Sequence, residues 1–364
     1  MDRRAVLALA AGTGLAVGGC AQSPPAVPPR AGAPRSPGTL WTEALSPEDA
    51  RLYRGVNRAT WGANEADLSA ALQQGLSAWL EAQLQPADED GLPAWIGERL
   101  AAQTLVQQPL AALGSALDAQ RRAADATQGE EPRRKAQEAY QRELTRLSRE
   151  AASRQLWRAL HSPWQLRERL VWFWFNHFNV HLFKANLRLM VGDYLESAIR
   201  PRAMGRFRDL LGAVVLHPAM LRYLDNEQNA VNRPNENLAR ELLELHTLGV
   251  NGGYTQRDVQ DLARVLTGHG INLGEAPRLR AELQPLYRRA GLYEFNPARH
   301  DAGAKTVLGL TVTARGAAAL EQVLDHLARH PATALHVCSR LATYFVADTP
   351  PADLVAAMTD AWRR

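Results

Sequence analysis

Apolar positions recur at helical spacing along most of this chain, and the breaks between them carry capping residues, glycine or proline. Ser46-Pro47-Glu48-Asp49 offers a capping hydroxyl, a proline for the first helical position and acids for the first turn. It predicts a helix running toward Ala59. Asn64 and Asp67 open a second helix that Gly75 ends, and a third runs to about Leu84. Residues 108–161 read as two longer helices interrupted near 127–132. The neighbouring Glu130-Glu131-Pro132-Arg133-Arg134-Lys135 is a solvated helix start. Ser162-Pro163 opens the most apolar helix. Leu166, Leu170, Val171, Trp172, Phe173, Trp174, Phe175 and Phe178 cover nearly its whole circumference, which places it in the middle of a domain. Further helices are expected near 187–200, 203–216 and 218–224, then a pair at 233–248 and 256–268, then three near 315–329, 332–346 and 351–363. The helical pattern fails at 291–312. There Leu292-Tyr293-Glu294-Phe295 and Lys305-Thr306-Val307-Leu308 suggest a short β-hairpin around a polar loop. The expected fold class is therefore mainly α, a large irregular helical bundle with a short β-hairpin near 292–308.

The first 38 residues do not fit this pattern. Arg3 and Arg4 precede an apolar run from Ala5 to Val17, too short to cross a bilayer, and small residues then lead to Cys20. This is the layout of an export signal over residues 1–20. Asp2-Arg3-Arg4-Ala5-Val6-Leu7 resembles a twin-arginine signal, and Val17-Gly18-Gly19-Cys20 resembles a lipobox whose cysteine is lipidated. Acyl chains contribute about 0.8 kcal/mol per buried methylene, so a lipidated Cys20 would hold the protein at a membrane surface. Residues 21–38 are rich in proline, lack aromatic residues and read as an extended tether to a helical domain over 39–364. The expected location is the periplasm or the outer membrane.

Composition narrows the function classes. With 46% apolar and 22% charged residues the chain is an ordinary globular protein. Its net charge of +4 falls to +3 without the signal, too small a balance over so large a surface to suggest nucleic-acid binding. The two cysteines, Cys20 and Cys338, do not make a disulfide framework, and Cys338 lies in an apolar helical stretch as a buried thiol.

Three polar clusters carry the candidate chemistry. On the helix beginning near Asn232-Arg233-Pro234-Asn235, Glu236, Arg240 and Glu244 are spaced i, i+4, i+8 on one face. Asn237 and Glu241 lie one step round, and Leu238, Leu242, Leu245 and Leu248 form the opposite core stripe with His246 between them. In the apolar helix, His177 and His181 have a metal-compatible spacing beside Asn176 and Asn179. His300-Asp301-Ala302-Gly303-Ala304-Lys305 lies on a loop. The bland reading of each is an internal salt-bridge ladder, a pair of satisfied core histidines, and a tight loop with an Asx turn at Asp301 and a glycine at positive φ. No His-Glu-x-x-His, Gly-x-Ser-x-Gly, phosphate-binding glycine loop or Cys-x-x-Cys is present.

The same stretches resemble a bacterial family known as domain of unknown function 1800. The resemblance rests on Asn57-Arg58-Ala59-Thr60-Trp61-Gly62, Trp174-Phe175-Asn176-His177-Phe178 and the long run from Asn235 to Val250 with Gly252-Gly253-Tyr254-Thr255. It extends to residues 262–268, to residues 300–309 and to the closing His330-Pro331 and Tyr344-Phe345-Val346, so it spans about residues 50–364. It implies an exported helical protein without an established activity, whose genes lie beside those of an exported family resembling sulfatases and alkaline phosphatases, so that a sulfatase-like protein is expected to share a complex or pathway with it. His181 falls outside the family motif. The resemblance also implies a further helical segment after Arg364, which reads this chain as shortened at its C-terminus.

Two functional readings follow. In the first, a lipid-tethered helical domain binds or assembles with another exported protein at the membrane. In the second, the protein is a metal-assisted hydrolase or oxidoreductase of the envelope. Its candidate catalytic residues are Glu236, Arg240, Glu241, Glu244, His300, Asp301 and Lys305, and a divalent metal would be held among His177, Glu241, Glu244, His246 and His300. The second reading requires the three clusters to converge on one site.

Overall fold

The computed structural model describes residues 45–86 and 91–364; the export signal, Cys20 and the proline-rich tether lie outside them. Among the described residues are sixteen α-helices. In chain order these are α1 (Pro47–Ala59), α2 (Glu65–Gln74), α3 (Leu76–Gln83), α4 (Ala94–Ala101), α5 (Thr104–Gln107), α6 (Leu110–Ala126), α7 (Glu130–His161) and α8 (Gln165–His177). They continue with α9 (Leu187–Asp193), α10 (Phe207–Val215), α11 (Pro218–Tyr223), α12 (Asn237–Glu241), α13 (Gln256–Leu266), α14 (Ala317–Arg329), α15 (Pro331–Phe345) and α16 (Ala352–Arg363). Two of them run on into a wider π turn, α9 into Tyr194–Ile199 and α12 into Leu242–Thr247. The fold is mainly α, and none of the described helices is long and apolar enough to cross a membrane.

The local signals act as their chemistry requires. Ser46 Oγ accepts the Asp49 N–H at 3.1 Å and Asn64 Oδ1 accepts the Asp67 N–H at 2.9 Å, so α1 and α2 begin at side-chain caps. Gly75, at φ 86°, closes α2. The break between α6 and α7 falls at residues 127–129. His217-Pro218 and His330-Pro331 start α11 and α15 in the same way. In each, the imidazole Nδ1 accepts the N–H two residues on, at 3.1 and 3.2 Å.

One continuous apolar core reaches from Val56 to Trp362. The inner face of α8 is at its centre, with Leu170, Val171, Phe173 and Trp174 all at most 4% exposed. Each such side chain contributes on the order of 1.5–3 kcal/mol through burial. The helix is not enclosed all round, because Trp172 and Asn176 face solvent. It also ends at His177, so His181 sits on an exposed loop and shares no helical face with it. Cys338 is fully buried, and burial pushes its thiol up to about 12.

The non-helical stretch contains two small antiparallel sheets. Strands β1 (His269–Ile271), β2 (Arg288–Ala290) and β3 (Tyr293–Phe295) are ordered β1-β3-β2, and β4 (Thr306–Val307) pairs with β5 (Leu310–Thr311). Both expected strand segments are therefore strands, but each has another partner. Tyr293 pairs with Ile271 and Ala290, and Val307 pairs with Leu310.

Candidate functional site

Helix α12 starts at Asn237, later than its proline suggests, because Asn235 Oδ1 accepts the Asn237 N–H at 2.9 Å. Beyond Glu241 the helix widens: the Leu248 N–H reaches back five residues to the Leu243 carbonyl at 2.9 Å. One extra residue in a turn rotates everything after it by about 100°. Leu245 consequently leaves the core and is 49% exposed, while His246 turns inward and is 4% exposed. The expected stripe holds at Leu238, Leu242 and Leu248 and fails at Leu245.

The inward turn brings together imidazoles from three distant parts of the chain. The His177 ring lies 6.3 Å from that of His246 and 6.0 Å from that of His336 on α15. His177 Nε2–H donates to the His246 carbonyl at 3.0 Å, and His336 Nε2–H donates to the Leu245 carbonyl at 3.3 Å. These are carbonyls at the end of the π turn, which have no onward helical partner. Two histidines thus cap the C-terminus of the motif helix. Gly249 completes the fit: it stands at φ 84°, and a Cβ there would come within 2.9 Å of His336 Nδ1. Burial holds the imidazoles neutral. It drives His246 to about 4 and His177 well below its ordinary value, with the neighbouring His246 adding to the effect on His177. The Nδ1 atoms of His177 and His246 are buried without hydrogen-bond partners.

The carboxylates of the motif take separate partners. Glu236 and Arg240 form the expected pair at 2.9 Å, and Gln256 bridges both. Glu244 does not extend that row; beyond the π turn it accepts the Tyr254 hydroxyl at 3.0 Å. Glu241 is raised above its ordinary value by partial burial and then by the charge of Glu244, against the pull of Arg240.

The loop from His300 to Lys305 is fastened to α13. Asp301 receives Arg264 at 2.8 and 3.2 Å and the Gly303 N–H at 2.7 Å, which is the expected Asx turn. Gly303 itself is not among the glycines with positive φ. His300 Nδ1–H donates to the Thr267 carbonyl at 2.8 Å, and the Asp301 N–H donates to Thr267 Oγ1 at 2.8 Å. Lys305 is 6% exposed and donates to the carbonyls of Asp301 and Gly303. Hydrogen bonds from Arg264 hold Asp301 below the usual carboxylate range, while burial lowers both His300 and Lys305.

The structure therefore joins His177 to His246 and does not join either to the His300 loop by any hydrogen bond, ion pair or ring contact among the described residues. Among those residues no group of three or more His, Cys, Asp or Glu is placed to hold a metal ion, so His177, Glu241, Glu244, His246 and His300 do not form one donor set.

Sequence reasoning missed His336 and also Arg169. The Arg169 guanidinium lies 4.7 Å from the ring of Tyr344, 5.2 Å from Trp61 and 5.9 Å from Phe345. Trp61 in turn contacts Trp172 edge-on at 5.9 Å, and these tryptophans are 39% and 36% exposed. Arg169 has no carboxylate partner among the described residues, and its Nε is buried without a hydrogen bond. The surface is assembled from the end of α1, the outer face of α8 and the end of α15, all stretches that the sequence singled out for other reasons.

A family model described as a protein of unknown function (DUF1800) matches residues 54–364. No curated protein and no solved structure matches the chain.

Proposed function

The chain belongs to the family of unknown function DUF1800, and on that premise we propose that it is an exported, lipid-anchored binding protein that holds another exported protein, of sulfatase-like type, at the membrane. The Arg169-centred aromatic surface carries this reading. A guanidinium laid on three aromatic faces and left without a carboxylate is weakly hydrated and ready to accept one from outside. Exposed tryptophan beside arginine is the composition that dominates binding energy at protein interfaces. By contrast, the motif's Glu236, Arg240, Asp301 and Lys305 are already engaged by their neighbours. The layout of residues 1–20 supplies the export and the anchor.

Photo-cross-linking in intact cells tests both halves. A photoreactive residue at position 172 is expected to give one adduct of defined mass that a probe at Arg122, an exposed residue on α6, does not give. Arg169→Gln removes that adduct, and Cys20→Ala releases the protein from the membrane fraction. Equal labelling at the two positions, or none at either, rejects the reading.

A further inference from the structure

The β1-β3-β2 sheet and the start of α14 enclose a cavity of about 310 Å³ that no part of the preceding reading uses. Cross-strand partners point to the same side of a sheet. His269, Phe295 and Arg288 are such a row, and Tyr293 stands two residues along β3 on that same face. Opposite them is the N-terminus of α14, a helix of 13 residues with neither a capping side chain nor an acid in its first turn. Its N-cap is Gly316, at the positive φ of 60° that favours glycine, and it has no side chain to place over the helix end. The N–H groups of Ala317 and Ala318 make no hydrogen bond among the described residues, and both residues line the cavity.

Two further features point to a ligand. Arg288 and Arg315 line the cavity; Arg288 Nη1 already donates to the Pro285 and Tyr287 carbonyls, whereas Arg315 makes no hydrogen bond or ion pair among the described residues. Glu321 is the acid on this wall, and Arg208 binds it from outside. His269 lies on the cavity wall at 1% exposure; its Nδ1 is engaged by the Tyr293 hydroxyl at 2.9 Å, and its Nε2 is buried with no partner. Buried imidazole nitrogens without partners cost free energy, and this one stands in the wall of the cavity.

We infer that this cavity binds a small organic oxyanion. Its phosphoryl or carboxylate group sits on the Ala317 and Ala318 N–H groups between Arg288 and Arg315, and its body reaches the His269–Tyr293 pair. Helix N-termini combine free donors with a positive dipole end, and guanidinium groups supply the matching charge. Where His269 Nδ1–H donates to the Tyr293 oxygen, the Tyr293 hydroxyl proton is left for the ligand, so the inner end takes a hydrogen-bond acceptor such as a hydroxyl oxygen. The inference stands independently of the docking surface at Arg169.

Thermal unfolding of the full chain at fixed ionic strength provides the test, with glycerol 3-phosphate and acetate as probes and glycerol as the neutral control. A saturable rise in Tm with either anion, and none with glycerol, is expected. Arg315→Gln weakens the apparent affinity at least fivefold. Ala318→Asp places a carboxylate at the helix end, raises the Tm of the free protein and abolishes the saturable response. Displacement of glycerol 3-phosphate by vesicles of phosphatidylglycerol, but not of phosphatidylcholine, assigns the site to a lipid headgroup; lack of displacement assigns it to a soluble ligand. A rise that is equal for all salts and never saturates, or apparent affinities unchanged in both variants, overturns the inference.

Discussion

The two π turns meet the same need with opposite chemistry. The first, Tyr194–Ile199, presents Glu196 to a charged cluster: Arg200 Nε at 3.0 Å, Arg154 at 2.9 Å and Arg158 at 3.3 Å. Beneath it Arg200 also grips Glu168, which is fully buried, at 2.7 and 2.9 Å. The second, Leu242–Thr247, turns His246 inward among neutral rings, and its last carbonyls are capped by His177 and His336. At each wider turn one polar side chain is largely withdrawn from solvent, His246 more fully than Glu196. The first site then depends on ionic compensation, and the second on keeping its groups uncharged.

The largest effect is expected where that compensation is broken. Glu168→Leu leaves the buried guanidinium of Arg200 with Glu196 and the neutral Gln155 amide and should cost about 3–5 kcal/mol, read as a lower urea midpoint. A loss below about 1 kcal/mol would mean that water reaches Arg200, and the contrast between the two turns would lose its basis.

The next effect separates the regions by pH. His246 is held at about 4 by burial, below the ordinary 6.5, and His177 is shifted the same way. Above pH 6.5 both folded and unfolded chains carry neutral imidazoles, so this stability is fully present. As pH falls below 6.5 the unfolded chain binds protons that the folded one refuses, and stability is lost until about pH 4. For His246 alone the loss is about 3 kcal/mol. At Glu196 burial acts upward, but the charges of Arg200, Arg158 and Arg154 outweigh it and pull the carboxyl down to about 2 from 4.5. Its contribution is intact above pH 4.5 and is lost only as pH falls toward 2. Urea midpoints taken from pH 7 to pH 3 should therefore already decline between 6.5 and 4.5, the window that His246 and His177 share with the likewise buried His269. A flat profile there would show that the imidazoles titrate freely and that the second turn is not sealed.

Much of the fold can be read in the sequence because local chemistry sets it. Ser46, Asn64 and Gly75 mark helix ends through bonds to residues at most four away, and the apolar run of α8 needs no partner to declare itself. The Asx turn at Asp301 is also local. What the sequence hid depends on distant partners. The donors that fix the second π turn stand 69 and 91 residues away from the carbonyls they reach. Glu236, Arg240 and Glu244 fit a regular helix as well as a widened one, so their spacing could not reveal that Glu244 turns to Tyr254. Arg169 becomes notable only when Trp61 and Tyr344 are folded against it.

The smallest predicted effect tests the register itself. On an uninterrupted helix Leu245 falls in line with Leu238 and Leu242, and replacing it by serine would cost the several kcal/mol typical of a core leucine. With the extra residue in the turn, the side chain at 245 points outward and is 49% exposed. Leu245→Ser should therefore shift the urea midpoint by no more than the roughly 0.5 kcal/mol expected of a surface change. Leu242→Ala, at a position with no exposure, should cost about 2–5 kcal/mol. Because the two residues are only three apart, the pair reads the rotation directly. Comparable losses at both would place Leu245 back in the core, return His246 to the helix flank and dissolve the neutral cluster that distinguishes this turn from its charged counterpart.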